Sequence, residues 1–526
     1  MPRPAGPSSA DVNSAGGEKQ RLPFRLLLAP RTADLPYSEK GFEKMSEHLY
    51  RFRSTAFLLG EKYQELDRQE IYCASLKDLN DPMEGFKDLF WSGDKIVWVN
   101  LLKHYLLCLD RACFLFMLNG NTKVIDFASM PVLETENDLP TQKWKDTYKE
   151  ICDRFFGTPS VAEYADKLPS RKGPMRRYEL HFHLRTLHYH ALNAVVEAYR
   201  HLGVMIDGPE AGILRDLCER KSIKPEVFEI TNSLEERHPD IVDGSDQLYA
   251  VLYGASMQAA LIAKYNSPAS SNDHNRALIF LDFPDQYVRA LEQMLYIDWY
   301  TACFSGNCVN SSMWGHYADN HRGVCLKFRT GTNAGNPSIP LYGITGWRGN
   351  RTMPNPVPTH GYNQFQLHKI VYKKTYPEFD FFRSLGRLRG PALGWWYSDG
   401  KGNNSSCCRD VFDSEAQWRE KYWAGFEIAR TTKLEDWAYE DEYRLVLTSF
   451  LTDYSNPLNK KLKYKFEDLS GIIFGINTSE EDKLSIIRII QAKCKQEQRK
   501  EFEFHQAYYS RKAGKIDVSP LNLIQV

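Results

Sequence analysis

Apolar positions set three rhythms along this chain. Between residues 40 and 75 they come in short bursts. Phe42, Met45, Leu49 and Phe52 have helical or short-strand spacing, an amphipathic helix is predicted over 55–66, and residues 71–75 read as a buried strand. Asn80, Asp81 and Pro82 then make a turn, because Asn and Asp side chains bond the local backbone and Pro keeps the residue before it out of the helical region. From 87 to 295 the apolar spacing changes to threes and fours. It predicts helices over 98–118, 144–156, 178–202, 247–265 and 286–299, with loops at 239–246 and 267–275. Beyond 330 the character changes again. The run 330–362 is rich in Gly, Asn and Pro and has little helical pattern. Strands are predicted at 367–372, 443–451, 471–475 and 501–509, helices at 418–428 and 480–499, and a long loop at 386–408.

These rhythms predict an α+β protein. Its mixed or antiparallel core sheet draws on residues 48–90 and 296–515 and is capped by helices. The expected organisation is a disordered tail (1–40), a first part of the α+β core (41–90), a helical insertion (91–295) and a second part of the core (296–526) with a loop insertion at 330–425. Composition changes this picture little. The chain has 526 residues, enough for more than one structural unit, and its 42% hydrophobic and 25% charged residues are an ordinary globular balance. Lys plus Arg equals Asp plus Glu at 67 each, so no global field draws the chain to nucleic acid or an anionic membrane. A local basic groove stays open. No apolar run approaches the roughly 20 residues that span a bilayer. The cysteines are scattered apart from Cys407-Cys408, and no secretory signal is seen, so reduced thiols in a cytoplasmic protein are expected.

Chemistry-bearing residues are densest between 303 and 328, where Trp314-Gly315-His316-Tyr317 is followed by Asp319, His321 and Gly323. Around this segment stand further landmarks. Leu49-Tyr50-Arg51-Phe52 and residues 71–75 lead to Asn80-Asp81-Pro82-Met83-Glu84, then Cys303-Phe304-Ser305. Lys433, Trp437 and Tyr439-Glu440-Asp441-Glu442-Tyr443-Arg444 follow, and residues 471–475 come last. In this order they resemble the bacterial family known as domain of unknown function twenty-nine seventy-one, over residues 48 to 510. The regions 91–295 and 330–425 are larger here than in the family's compact pattern. The family's name assigns no activity.

Glu440-x-Glu442 ahead of a strand also looks like the glutamate pair that ADP-ribosyltransferases set at a strand edge. Residues i and i+2 of a strand share a face, and a carboxylate beside a developing cation lowers the barrier. The likeness implies an ADP-ribosyltransferase-like fold with NAD as substrate, Glu442 stabilising the ribosyl cation and Glu440 orienting the acceptor. Arg51 (or Arg53), Tyr72 and Ser75 stand at the matching points in chain order and are expected to hold NAD, with Asn80, His316 and Tyr317 lining the same cleft. A nucleic acid or protein would be the acceptor, and a bacterial effector or phage-defence role the setting. Other readings stay open. Glu440, Glu442 and Arg444 could be a solvated ladder on an edge strand, and Trp314, His316 and Tyr317 a packed corner. His316, Asp319, His321, Asp81 and Glu84 could serve a nuclease or other hydrolase, although His-x4-His is not a specific metal spacing and no metal site is expected. Trp395, Trp396 and Tyr397 beside Arg383, Arg387 and Arg389 could clamp a nucleotide in a non-catalytic sensing or interaction module. His181, His183, His188 and His190 lack i, i+4 spacing and read as core or surface residues.

Overall fold

Strand alternation from two distant parts of the sequence builds one large mixed sheet. Its strands are β1 (His48–Arg53), β2 (Glu70–Tyr72), β3 (Trp299–Ser305), β4 (Val324–Arg329), β5 (Asn336–Arg348), β6 (Val357–Lys369), β7 (Glu442–Thr448), β8 (Lys461–Tyr464), β9 (Leu469–Phe474), β10 (Glu503–Ser510) and β11 (Lys515–Pro520). They pair in the order β11-β10-β9-β4-β1-β3-β7-β6-β5-β8-β2. Neighbours are antiparallel except β9 and β10, which are parallel. Ala74–Ser75, just past β2, pairs with β3 as well, so the half of the sheet from β3 to β2 curls back on itself. This computed structural model describes residues 47–525 apart from 121, 205–208, 221–222, 239–243, 267–273, 334, 350–355 and 450–451. The expected tail, Phe42 and Met45 lie outside the described residues.

Period-2 alternation sends successive side chains to opposite faces. Leu49, Phe304, Leu326, Phe328, Leu445 and Leu447 fill the core on one face, where they meet Ile486 and Ile490 of a long helix, Glu480–Gln496. Phe52, Trp314, Cys325, Ile473 and Ala507 make a smaller core on the other.

Four long helices lie between β2 and β3: α1 (Lys95–Asn119), α2 (Gln142–Gly157), α3 (Arg177–His201) and α4 (Gly244–Tyr265). Each matches a predicted helix to within a turn. The helix predicted over 286–299 stops early, at Ala290, and a tight turn over Leu291–Met294 follows. Trp299 already belongs to β3, where it pairs with Thr448. His183 and His188 are core residues, hydrogen-bonded to Tyr164 at 2.6 Å and Tyr105 at 2.8 Å. A small sheet ties the helices to the second half of the chain, with Asp88–Trp91 between Glu378–Asp380 and Met175–Arg176.

The segment 386–408 is not a free loop. It contains the helix Gly390–Trp396 and the start of another, Ser406–Phe412. Asn100 of α1 donates to the carbonyls of Trp395, Trp396 and Ser398 at 3.0, 2.9 and 2.9 Å. Trp396 and Tyr397 are buried, Arg387 pairs with Asp298, and Arg383 pairs with Asp380. Four residues of the expected nucleotide clamp are therefore occupied in packing or ion pairs, while Trp395 is half-buried and Arg389 exposed. The run 330–362 forms most of the long β5–β6 hairpin, in which Gly343 pairs with Gly361. A Cβ on Gly343 would stand 2.6 Å from the Leu462 side chain, so the glycine makes room for β8. Among the described residues no helix is long and apolar enough to cross a membrane.

Candidate functional site

The site is built on the register of three central strands. Tyr50 of β1 stands opposite Ser305 of β3, and Ser305 stands opposite Glu442 of β7. Directly opposed residues in antiparallel strands share a face, so Tyr50, Ser305 and Glu442 form one row across the sheet. β7 is an interior strand between β3 and β6, and Glu442 and Arg444 are buried. The pair is thus neither at a sheet edge nor solvated.

Glu440 does not share that strand. Asp441 takes a left-handed conformation at φ +42°, so β7 begins only at Glu442, and Glu440 ends the tight helical turn Glu435–Glu440. The two carboxylates meet all the same, because both reach one lysine. Lys433 Nζ lies 2.7 Å from Glu440 Oε2 and 3.5 Å from Glu442 Oε2. Glu84, from the Asn-Asp-Pro turn, is 3.7 Å from the same nitrogen. Arg444 Nε and Nη2 donate to the Glu442 carboxylate at 2.7 and 3.0 Å, and Nη2 donates to Glu84 at 2.8 Å. The Glu442 backbone N–H donates to Tyr372 Oη at 2.9 Å.

The helix α5 (Ser311–Tyr317) covers one side of this cluster. The Asn310 side chain caps it by accepting from the Met313 N–H. Tyr317 Oη donates to Glu440 Oε1 at 2.5 Å. His316 is exposed and bonds Tyr439 Oη at 3.1 Å, and the Lys433 ammonium lies 4.5 Å from the centre of the Trp437 ring. An aromatic rim of Tyr317, Tyr439 and Trp437 thus stands over a buried charged floor. Trp314 itself belongs to the core, as the packed-corner reading had it.

Three carboxylates face two cations in the floor, which leaves one negative charge in excess. Asp81 adds to it. Asp81 Oδ1 accepts from the Met83 N–H, while Oδ2 is buried with no hydrogen-bond partner, as is Tyr376 Oη. The environments split the glutamates. Burial drives Glu442 upward, but the Arg444 guanidinium and Lys433 outweigh it and hold the carboxyl at about 2. Burial raises Glu440 above the ordinary carboxyl range, and neighbouring Glu442 adds to that shift. Glu84 is raised for the same two reasons.

The expected site residues divide between two places. Glu440, Glu442, His316 and Tyr317 come together, and the Asn-Asp-Pro turn joins them through Glu84. Asn80 is exposed and makes none of the cluster's hydrogen bonds. Arg51, Tyr72 and Ser75 do not share this cleft. Arg51 neighbours Tyr50 on β1 and so points to the opposite face, where its guanidinium lies 5.6 Å from the centre of the Phe304 ring. Ser75 is occupied in a capping box with Asp78, and Arg53 pairs with Glu65. Among the described residues no three His, Cys, Asp or Glu side chains form a metal-holding group.

Comparison of the chain with family models, with curated proteins and with solved structures finds no match. The geometry therefore bears the weight of the functional reading. Sequence reasoning did not give Lys433, Tyr50, Tyr372, Tyr376 or Tyr439 a role in the site. Lys433 carried a signal, since it precedes the glutamates inside the same motif. Tyr439 carried the same signal, standing next to Glu440, whereas Tyr50 and Tyr372 are placed by strand pairing and Tyr376 by the chain after it.

Proposed function

We propose that this chain is an ADP-ribosyltransferase-like enzyme that breaks the nicotinamide–ribose bond of NAD. The surplus negative charge of the buried floor beneath an aromatic rim carries the reading. NAD presents a cationic pyridinium ring, and cleavage moves positive charge onto the ribose. A fixed carboxylate beside that charge stabilises the transition state without reorganisation. Glu442, held ionised by Arg444, fills this role. The C–N bond electrons leave with neutral nicotinamide, the acceptor's lone pair forms the new bond to the ribose carbon, and its proton passes to Glu440. Splitting two neighbouring carboxyls in this way is how a site separates an electrostatic stabiliser from a proton acceptor. Tyr317, Tyr439 and Trp437 offer rings for stacking, and His316 a hydrogen bond at the rim. The Glu-x-Glu likeness points the same way. Water as acceptor is the second reading, favoured by the raised Glu440.

The test is nicotinamide release from NAD, followed by chromatography with the full chain. Wild type is expected to release it, and Glu440→Gln to slow release by about a hundredfold while the protein stays folded by circular dichroism. Glu442→Gln should lose activity too, and Glu440→Gln covers the case in which Glu442→Gln unfolds. Free ADP-ribose as product marks water as acceptor, and a labelled macromolecule marks transfer. No nicotinamide from wild type with water, protein or nucleic acid as acceptor overturns the proposal, as does full activity in folded Glu440→Gln.

A further inference from the structure

The opposite face of β1 holds a second charge cluster, of the other sign. Arg51 is 6% exposed, and one guanidinium nitrogen donates to the Tyr72 carbonyl at 3.3 Å. Among the described residues no carboxylate lies within ion-pair distance of it. Glu65, which acts on it electrostatically, is bound by Arg53 through two hydrogen bonds. Burial, with Arg53 adding, draws the Arg51 guanidinium down to about 10.

Lys460, in the turn ahead of β8, is also 6% exposed. Its ammonium lies 4.8 Å from the centre of the Tyr300 ring and 5.3 Å from that of Tyr72. Among the described residues it has neither a hydrogen-bond acceptor nor a carboxylate partner. The carboxylates that act on Tyr300 are engaged elsewhere, Asp298 with Arg387 and Asp453 with Ser455. Arg51 reaches the Tyr72 carbonyl, the Lys460 ammonium reaches the Tyr72 ring, and the Cys73 N–H donates to the Lys460 carbonyl at 2.9 Å, so both cations flank the same two residues. Tyr464 Oη, on which Arg51 also acts, is buried with no hydrogen-bond partner.

The donors thus gather where acceptors are missing, at the seam where the curled sheet closes through residues 72–75. Buried charges are ordinarily paired, because taking a charge out of water without a counter-charge is unfavourable. We infer that this seam binds a phosphate group. Its double charge matches Arg51 and Lys460, and its oxygens suit a guanidinium fork, an ammonium and a phenol as donors. The half-buried Tyr72 and Tyr300 rings would flank whatever the phosphate is attached to. The site lies on the face of β1 opposite Glu442, and it stands apart from the reading of the glutamate cleft.

Thermal unfolding and titration calorimetry of the full chain at constant ionic strength test it, with inorganic phosphate, pyrophosphate and adenosine monophosphate as probes. A ligand that binds only the folded state raises Tm with concentration. At least one probe is expected to do so. Lys460→Met, which keeps the stem between the two rings, should weaken that binding at least about tenfold, and Arg51→Lys should weaken it less, because the charge stays while the fork is lost. Glu440→Gln, which slows nicotinamide release in the folded protein, should leave it unchanged, which keeps the two results separate. Tighter binding of adenosine monophosphate than of phosphate identifies a phosphorylated small molecule as occupant, and equal binding identifies the free ion. Either supports the site. No shift with any probe, or a shift that survives Lys460→Met, overturns it.

Discussion

Arg444 shows what a single residue does here. Its guanidinium is fully buried and held by Glu442, Glu84 and the Arg430 carbonyl. Removing one partner of such a group strands a charge out of water, at about 3–5 kcal/mol. Arg444→Met leaves Glu442 and Glu84 without that cation and is therefore expected to lower the unfolding free energy, measured by urea denaturation, by an amount in that range, and Glu84→Met with Arg444→Met to cost less than the sum of the two singles. Glu442 adds a pH dependence with a definite sign. Its folded value of about 2 lies below the unfolded carboxyl value near 4.3, so its contribution is complete above that value and fades as pH falls toward 2. Glu440 and Glu84 are raised and act the other way, contributing at low pH and losing that contribution as pH climbs through their folded values. Urea midpoints measured from pH 5 to pH 2 should fall more gently in Glu442→Gln than in wild type. Equal slopes would show that Glu442 is not held ionised.

At the scale of the element, the turn after α5 accounts for most of its motif. Asp319, Asn320 and His321 are all left-handed, at φ +47°, +51° and +67°. Their N–H groups and those nearby bond back to the end of α5, with Asn320 to Gly315 and His321 to Trp314, both at 3.1 Å. The chain then enters β4 through Gly323. Gly475, at the end of β9, packs against this turn so closely that a Cβ would sit 2.3 Å from the His321 carbonyl oxygen. Backbone cannot give way as a flexible side chain can. Gly475→Ala should cost about 1–3 kcal/mol, read as a fall in Tm. Asp441→Gly relieves a left-handed residue and should hold stability or raise it by up to about 1 kcal/mol, read as an unchanged or higher Tm. These positions explain why Asp319, Asn320 and His321 form a turn into β4. They also show why the Glu-x-Glu pair is not a simple strand pair. Period-2 spacing was legible around Glu442, but the left-handed Asp441 was not, since Asp is tolerated in many conformations.

Across the whole molecule, the described residues form one compact unit in which helices and sheet share aromatic packing. Trp396 is buried against Phe381, Phe382 and His104, and so joins the segment 386–408 to α1. Trp396→Ala should cost about 3–5 kcal/mol. Near-ultraviolet and far-ultraviolet circular dichroism should lose signal at one shared temperature, since the described residues form one compact unit. Two separated transitions would mean that the helices and the sheet unfold independently.

The chain's local chemistry already contained the identity of its elements. Period 3.6 marked α1 to α4, strand-like runs marked β7, β9 and β10, and the Asn-Asp-Pro turn carried its own mechanism. The α+β class followed from these, while the expectation that Glu440, Glu442, His316 and Tyr317 lie together came from the motif order and the Glu-x-Glu likeness. Which face each side chain takes was settled elsewhere, in the pairing of strands brought together from distant parts of the chain. A shift of one residue in register sends a side chain through the sheet, and no local preference sets the register between β1, β3 and β7. That pairing put Tyr50 in line with Ser305 and Glu442, turned Arg51 away toward Lys460, and so separated an acidic cleft from a basic seam.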